Sequence, residues 1–181
     1  MNGVVWTRLD VVFVAIIKKI CLIGVPGVGK TSLVRRFVHS IFSDRYLTTV
    51  GVCIEKKQLT LAAGELSLVI WDLAGDDDMQ RLHGSYLRGT AGYVLVADGT
   101  RLESLGQLAD LQSRVAAAVG SAVPFVLALN KADLTEQWQV SEADQRELEV
   151  TRGWPCVRTS AKSGDGVEDV FASLATRLFG S

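Results

Sequence analysis

Gly24-Val25-Pro26-Gly27-Val28-Gly29-Lys30-Thr31 is the stretch that decides the fold of this chain. An apolar run at 20–23 precedes it and a run of helical character at 32–38 follows, so the order is strand, glycine-rich loop, helix. The spacing G-x-x-x-x-G-K-[ST] is typical of a phosphate-binding loop, in which backbone N–H groups and the helix start cradle phosphate oxygens. Lys30 would reach the β/γ-phosphates, and the Thr31 hydroxyl would ligate Mg²⁺. The alternative is a glycine-rich turn without a ligand.

The composition is that of one ordinary globular domain. The chain has 181 residues, of which 48% are hydrophobic, and its net charge is −1, so bulk electrostatics do not attract it to nucleic acid. Its three cysteines (Cys21, Cys53 and Cys156) are isolated in sequence. That arrangement argues against a disulfide framework or a zinc site and favours a reducing cytoplasm.

Strand-like and helix-like segments alternate along the chain. The patterns predict strands at 18–23, 52–61, 66–71, 93–97, 124–129 and 154–158. They predict helices at 30–39, 102–119, 141–151 and 167–179, with Ser141 and Asp144 forming a capping box. The second and third strands are close enough for an antiparallel hairpin. We therefore predict an α/β fold with a doubly wound, mostly parallel sheet and helices on both faces.

An apolar run at 11–17 precedes the first predicted strand. Seven residues are too few to span a bilayer as a helix, and Lys18 and Lys19 follow the run instead of preceding it as in a signal peptide. We predict an N-terminal extension at 1–17 and one domain at 18–181. The extension is read as an extended first strand or an extra edge strand, with a membrane-touching segment as the alternative.

A second motif, Asp72-Leu73-Ala74-Gly75, follows the predicted strand at 66–71. In a wound sheet, ligands bind beyond the carboxyl ends of the strands. Asp72 would hold Mg²⁺, usually through water, and the Gly75 N–H would meet a terminal phosphate. A polar turn is the alternative.

Two further motifs at strand ends indicate a guanine base. In Asn130-Lys131-Ala132-Asp133, the Asp133 carboxylate can accept hydrogen bonds from guanine N1–H and its amino group, a donor pair that adenine lacks. In Ser160-Ala161-Lys162, a backbone N–H would bind guanine O6 and the lysine stem would pack on the base. An ATP-using enzyme is disfavoured by the first of these motifs.

These motifs, in this order, make the chain similar to the Ras superfamily of small GTPases, and within it to the Rab-like group, over about residues 18–179. Thr49-Val50-Gly51 and Tyr86-Leu87-Arg88-Gly89 add to the resemblance. It implies the P-loop NTPase fold of small G proteins, with a six-stranded sheet, and a molecular switch that hydrolyses GTP to GDP with Mg²⁺. The segments around Thr49 and at 76–88 would order with GTP, and protein effectors and regulators would bind through 40–51 and 72–88.

The resemblance also assigns roles to single residues. The implied nucleotide-binding residues are Gly27, Val28, Gly29, Lys30, Thr31, Ser32, Phe42, Thr49, Gly75, Asn130, Lys131, Asp133, Ser160, Ala161 and Lys162. The implied metal ligands are Thr31, Thr49 and Asp72, and the implied catalytic residues are Lys30, Thr49, Gly75 and Asp76. Phe42 would pack against the guanine, and its alternative is a core phenylalanine.

Two departures from the family pattern bear on catalysis. Asp76 stands where the family commonly has a water-orienting glutamine, and Pro26 stands where Ras-like members often have glycine. A carboxylate is repelled by phosphate and donates no amide N–H, and proline has no backbone N–H. We therefore expect slow hydrolysis. The alternatives are a nucleotide-locked scaffold with negligible turnover, acidic residues that pair with a basic partner, and a solvated acidic loop.

The two ends of the sequence bear on anchoring. No cysteine lies near residue 181, and Met1-Asn2-Gly3 does not provide the glycine for myristoylation, so no lipid anchor is evident. We expect a cytoplasmic protein, and the absent prenylation cysteine with the compact size points to a bacterial or archaeal member.

Overall fold

A single β-sheet runs through the part of the chain that the structure, a computed structural model, describes, namely residues 16–43, 51–62, 64–73 and 84–179. Its strands are β1 (Ile16–Ile23), β2 (Val52–Leu61), β3 (Gly64–Leu73), β4 (Gly92–Asp98), β5 (Phe125–Asn130) and β6 (Cys156–Arg158). Their spatial order is β2-β3-β1-β4-β5-β6. Only β2 and β3 pair antiparallel among these strands. The predicted six-stranded, mostly parallel sheet with one hairpin is confirmed.

Helices cover both faces of this sheet. They are α1 (Lys30–His39), α2 (Gly84–Leu87), α3 (Leu102–Gly106), α4 (Leu108–Val119), α5 (Glu142–Arg146) and α6 (Val167–Phe179). Successive residues of a strand point to opposite faces, and β1 therefore divides its side chains between two cores. Ile20 and Leu22 pack in the core that contains α1 and α6, whereas Cys21 and Ile23 pack in the core that contains α4.

Two of the predicted helices are interrupted. The segment predicted as one helix at 102–119 is two, because α3 ends at Gly106 and α4 begins at Leu108. Glycine is a poor residue for a helix interior, and an exposed one at 106 has no packing to offset that cost. The second interrupted helix begins with the predicted capping box of Ser141 and Asp144, continues as α5, and passes into a π-helical turn at Glu147–Thr151.

The first strand begins earlier than predicted. Ile16 and Ile17, the last two residues of the predicted extension, continue β1 because Leu66 and Ser67 at the start of the predicted third strand pair with them. The remainder of the apolar run, 11–15, lies outside the described residues. No helix in the described part of the chain is long and apolar enough to cross a bilayer.

Candidate functional site

The glycine-rich loop joins β1 to α1 and owes its shape to glycines that approach other chain segments. Gly29 adopts φ 100°, in the left-handed region, and caps the N-terminus of α1. A Cβ at Gly29 would collide with the side-chain amide of Asn130, and a Cβ at Gly24 would collide with the carbonyl oxygen of Val96 on β4. The loop can therefore adopt this conformation only with glycine at both positions.

The Lys30 side chain lies inside the loop. It is only 6% exposed, and its ammonium group donates to the carbonyl oxygens of Gly24 at 2.8 Å and Val25 at 3.3 Å. Such bonds offset the cost of burying a cation. Together with the N-terminus of α1, this cation creates a positive environment suited to an anion.

Thr31 and Asp72 come together at the adjacent strand end. Asp72 faces Leu22 in the β1–β3 register, and its Oδ2 accepts a hydrogen bond from Thr31 Oγ1 at 2.5 Å. The carboxylate is 1% exposed. A hydroxyl and a carboxylate are oxygen ligands of the kind that Mg²⁺ prefers, so this donor set fits that ion. The third predicted ligand, Thr49, lies outside the described residues.

Asn130 connects the phosphate loop to the last of the motif loops. Its Nδ2 donates to the Val28 carbonyl at 2.8 Å, and its Oδ1 accepts from the amide of Ala161 at 3.2 Å and the hydroxyl of Thr159 at 3.3 Å. The side chain is 2% exposed. Asn130 therefore fixes two loops relative to each other. It also engages the Ala161 amide, one of the backbone N–H groups of the motif in which a donor to guanine O6 is predicted.

The two motifs predicted to bind the base are in direct contact. The Ser160 hydroxyl donates to Asp133 Oδ1 at 2.6 Å and accepts from the Ser163 amide at 3.0 Å. Asp133 is exposed. Because a carboxylate has about four lone-pair sites, Asp133 retains the capacity to accept further hydrogen bonds.

Lys131 is held by a residue that sequence reasoning missed. Its ammonium group pairs with Asp98 Oδ2 at 2.7 Å, at the end of β4. Burial opposes ionisation of Asp98, but hydrogen bonds from Lys131 and Thr100 outweigh it and hold the pKa of Asp98 below its usual value. The sequence did contain a signal for this residue, because Asp98 directly follows the apolar strand predicted at 93–97.

Two arginines were also missed, because nothing in their sequence surroundings indicates their contacts. Arg101 donates to Asp98 Oδ2 at 2.9 Å and to the Pro26 carbonyl at 3.2 Å, so it joins α3 to the phosphate loop. Arg36 on α1 donates to the carbonyls of Ala161 and Lys162. Both arginines donate hydrogen bonds to backbone carbonyls that are far from them in the sequence.

The remaining predicted residues are placed as follows. Gly27 has φ 78° in the loop, and Ser32 is half-buried in the first turn of α1. Phe42 is half-buried and packs against the core that contains α1 and α6. Its predicted contact with a base stays a prediction. Gly75 and Asp76, like Thr49, lie outside the described residues.

Comparisons with known proteins find a family model and relatives that match most of the chain. A family model described as the Ras family matches residues 19–179. Ras-related protein Rab-4 from Dictyostelium discoideum is 35% identical to this chain over 153 residues, which are 84% of this chain and 75% of that protein. Ras-related protein Rab-1D from the same organism is 34% identical over 157 residues, or 87% of this chain and 77% of that protein. The family-model match extends across all the strand ends described above.

Proposed function

This chain belongs to the Ras family, in its Rab-like group, and on that premise we propose a guanine-nucleotide-dependent switch that binds GTP and GDP with Mg²⁺ and hydrolyses GTP slowly. One observation carries the proposal: Asn130 bonds at once to the loop that contains Lys30 and to the loop that contacts Asp133. The phosphate-type and base-type groups are thereby gathered at one end of the sheet, where ligands of wound sheets bind.

The phosphate half of the site rests on the loop and its neighbours. Lys30 and the loop amides would stabilise phosphate charge. Thr31 and Asp72, together with Thr49, would hold Mg²⁺, which neutralises negative charge on the phosphates when bound. The contact between Thr31 and Asp72 supports this assignment.

The base half rests on Asp133. Its carboxylate would accept hydrogen bonds from guanine N1–H and the exocyclic amino group, and Ser160 holds one of its oxygens in place at 2.6 Å. The Lys162 stem and Phe42 would pack on the base.

Slow turnover is supported by two residues. Pro26 cannot donate a backbone hydrogen bond to phosphate, and Asp76 would bring a negative charge near the γ-phosphate. A second function, a nucleotide-locked scaffold with negligible turnover, is favoured by the same residues. Phosphate release at an excess of protein over GTP would separate the two, because a scaffold releases none on the timescale of a switch.

Segments 40–51 and 72–88 would present the nucleotide state to protein partners. The end of the second segment is fixed to the sheet, since the Lys19 ammonium donates to the carbonyls of Tyr86 at 2.6 Å and Arg88 at 2.9 Å. Free cysteines support a reducing, cytoplasmic setting, which stays a prediction.

The first experiment is chromatography of whatever nucleotide copurifies with the protein, released by denaturation. We expect GDP or GTP. Asp133→Asn should then shift the preference from guanine towards xanthine by about ten-fold or more, because an amide N–H can donate to the xanthine carbonyl. Glu136→Gln, an exposed neighbour, is the matched control and should leave the preference unchanged.

The hydrolysis claim has its own experiment. Single-turnover hydrolysis of GTP is measured for the wild type and for Asp76→Gln, and we expect the substitution to accelerate it. A fast wild type that the substitution does not improve would contradict the proposal. Failure to bind either guanine nucleotide in the presence of Mg²⁺ would refute the proposed function as a whole.

A further inference from the structure

Arg36 binds carbonyl groups of the loop 160–164, whereas Asn130 binds one of its N–H groups. From α1, its Nε donates to the Ala161 carbonyl at 2.8 Å and its Nη2 donates to the Lys162 carbonyl. Its Nη1 lies 3.4 Å from the Ser40 carbonyl, at the C-terminal end of α1. One half-buried guanidinium therefore holds two successive peptide groups of the loop.

These contacts fix the direction of a backbone donor. The Ala161 carbonyl and the Lys162 N–H belong to the same planar trans peptide, so they point in opposite directions. Since Arg36 attracts the carbonyl towards α1, the Lys162 N–H points away from α1. In the described part of the chain, this N–H donates to no acceptor, whereas the Ala161 N–H donates to Asn130.

Arg36 is not required to hold α1 in place. The helix is fixed to α6 by Phe37 and Phe171, whose rings stack with centroids 3.8 Å apart and planes inclined by 8°. Leu33 and Val34 of the same helix are buried in the same core. Two of the three hydrogen bonds of the Arg36 guanidinium are directed to the loop, and arginine is suited to this because its rigid fork carries five donors.

We propose that Arg36 is a positioning residue that sets the guanine preference of the site by orienting the backbone N–H of Lys162 towards the O6 atom of the base. This inference rests on the proposed function, because it requires guanine to bind beside Asp133. It goes further in naming the residue, outside the motif loops, on which recognition of O6 depends.

The experiment removes O6 from the ligand and the guanidinium from the protein. Affinities for GDP and for 2-aminopurine riboside 5′-diphosphate, which lacks both O6 and the N1 hydrogen, are obtained by competition against a fluorescent guanine nucleotide. The lost N1 hydrogen faces Asp133 and weakens binding of the analogue equally in the wild type and the variants, so each substitution is judged by its variant-to-wild-type ratio of affinities. We expect Arg36→Gln to weaken GDP binding by about ten-fold, the effect of losing a well-oriented donor, and to weaken binding of the analogue by less than about two-fold. Arg35→Gln, an exposed neighbour on the same helix, is the matched control and should change neither affinity.

Arg36→Lys keeps the positive charge, but a lysine ammonium lacks the rigid guanidinium that bonds both carbonyls. We therefore expect this variant to lose about three-fold in affinity for GDP and to keep its affinity for the analogue. It also serves as the test if Arg36→Gln does not fold, as judged by thermal unfolding. Equal losses for GDP and the analogue, or no loss of GDP binding, would overturn the inference. A wild type that binds the two ligands equally well would overturn it too, since O6 would then not be read. A wild type that binds neither would refute the proposed function.

Discussion

The Thr31 hydroxyl donates a 2.5 Å hydrogen bond to the buried carboxylate of Asp72. This contact brings the first turn of α1 to the end of β3 and defines where a metal ion would be held. Thr31→Val keeps the shape of the side chain and removes the oxygen ligand. We expect chelation of Mg²⁺ with EDTA to accelerate GDP release by about ten-fold or more in the wild type, and much less in the variant, because the variant already lacks a metal contact.

Thr176→Val is the control for that comparison. Thr176 donates to the Ala172 carbonyl within α6, and its replacement should leave the response to EDTA as in the wild type. A Thr31→Val protein that responds to EDTA as strongly as the wild type would show that the metal does not use this hydroxyl.

Gly29 should not tolerate a side chain. Gly29→Ala places a Cβ on a left-handed backbone and against the side chain of Asn130, and we expect it to lower the free energy of unfolding by about 1–3 kcal/mol. Gly106→Ala is the opposite case, because its Cβ would meet open space at the end of α3, and it should raise that free energy by about 0.5–1 kcal/mol. Urea unfolding of both variants measures the contrast. Equal effects of the two substitutions would be inconsistent with the Gly29 geometry.

Asp98 should make stability depend on pH in the acid range. Its pKa is lowered in the folded state, so the stability it contributes is fully present above the unfolded value of about 3.9 and is lost as the pH falls through the folded pKa. Asp98→Asn removes the charge that binds Lys131. In urea unfolding, the wild type should therefore exceed the variant in stability at pH 7, and the difference should shrink below about pH 4.

Asp110→Asn provides the comparison for Asp98. Asp110 is exposed and lies 3.6 Å from Arg114 within α4, a pairing that contributes little at the surface. We expect its replacement to leave the pH profile of stability nearly unchanged. A difference between wild type and Asp98→Asn that persists undiminished at low pH would mean that the Asp98 charge is not its source.

The three thiols should react in a definite order. Burial and the Glu149 charge raise the pKa of Cys156 to about 12, and burial also raises the pKa of Cys21, which is fully enclosed. Cys53 is exposed on β2, although burial and the Glu55 charge raise its pKa as well. With a disulfide reagent at pH 8, we expect Cys53 to react first, since only about one in ten thousand Cys156 thiols is then ionised. Cys53→Ser should abolish the fast phase, and a fast phase that survives would refute this order.

The sheet could be predicted from the sequence, whereas most contacts around the candidate site could not. The strand ends were predictable because apolar runs stop at Asp72, Asn130 and the glycine-rich loop, and parallel strands carry their carboxyl ends to one edge. The break between α3 and α4 at Gln107 could not be predicted from the apolar spacing, because that spacing continues across it. The contacts of Arg36 and Arg101 were not predictable either, since backbone carbonyls carry no signature in sequence.

The bond from Asn130 to the Val28 carbonyl spans 102 residues of sequence, and it has a consequence for cooperativity. A nucleotide held between these loops would contact the first and last thirds of the chain simultaneously. Neither third could then unfold without releasing the ligand, so every factor of ten in nucleotide concentration above the dissociation constant would add about 1.4 kcal/mol to the stability of the whole domain. The thermal midpoint would thus rise with nucleotide concentration, and the empty protein would be the form most exposed to proteases.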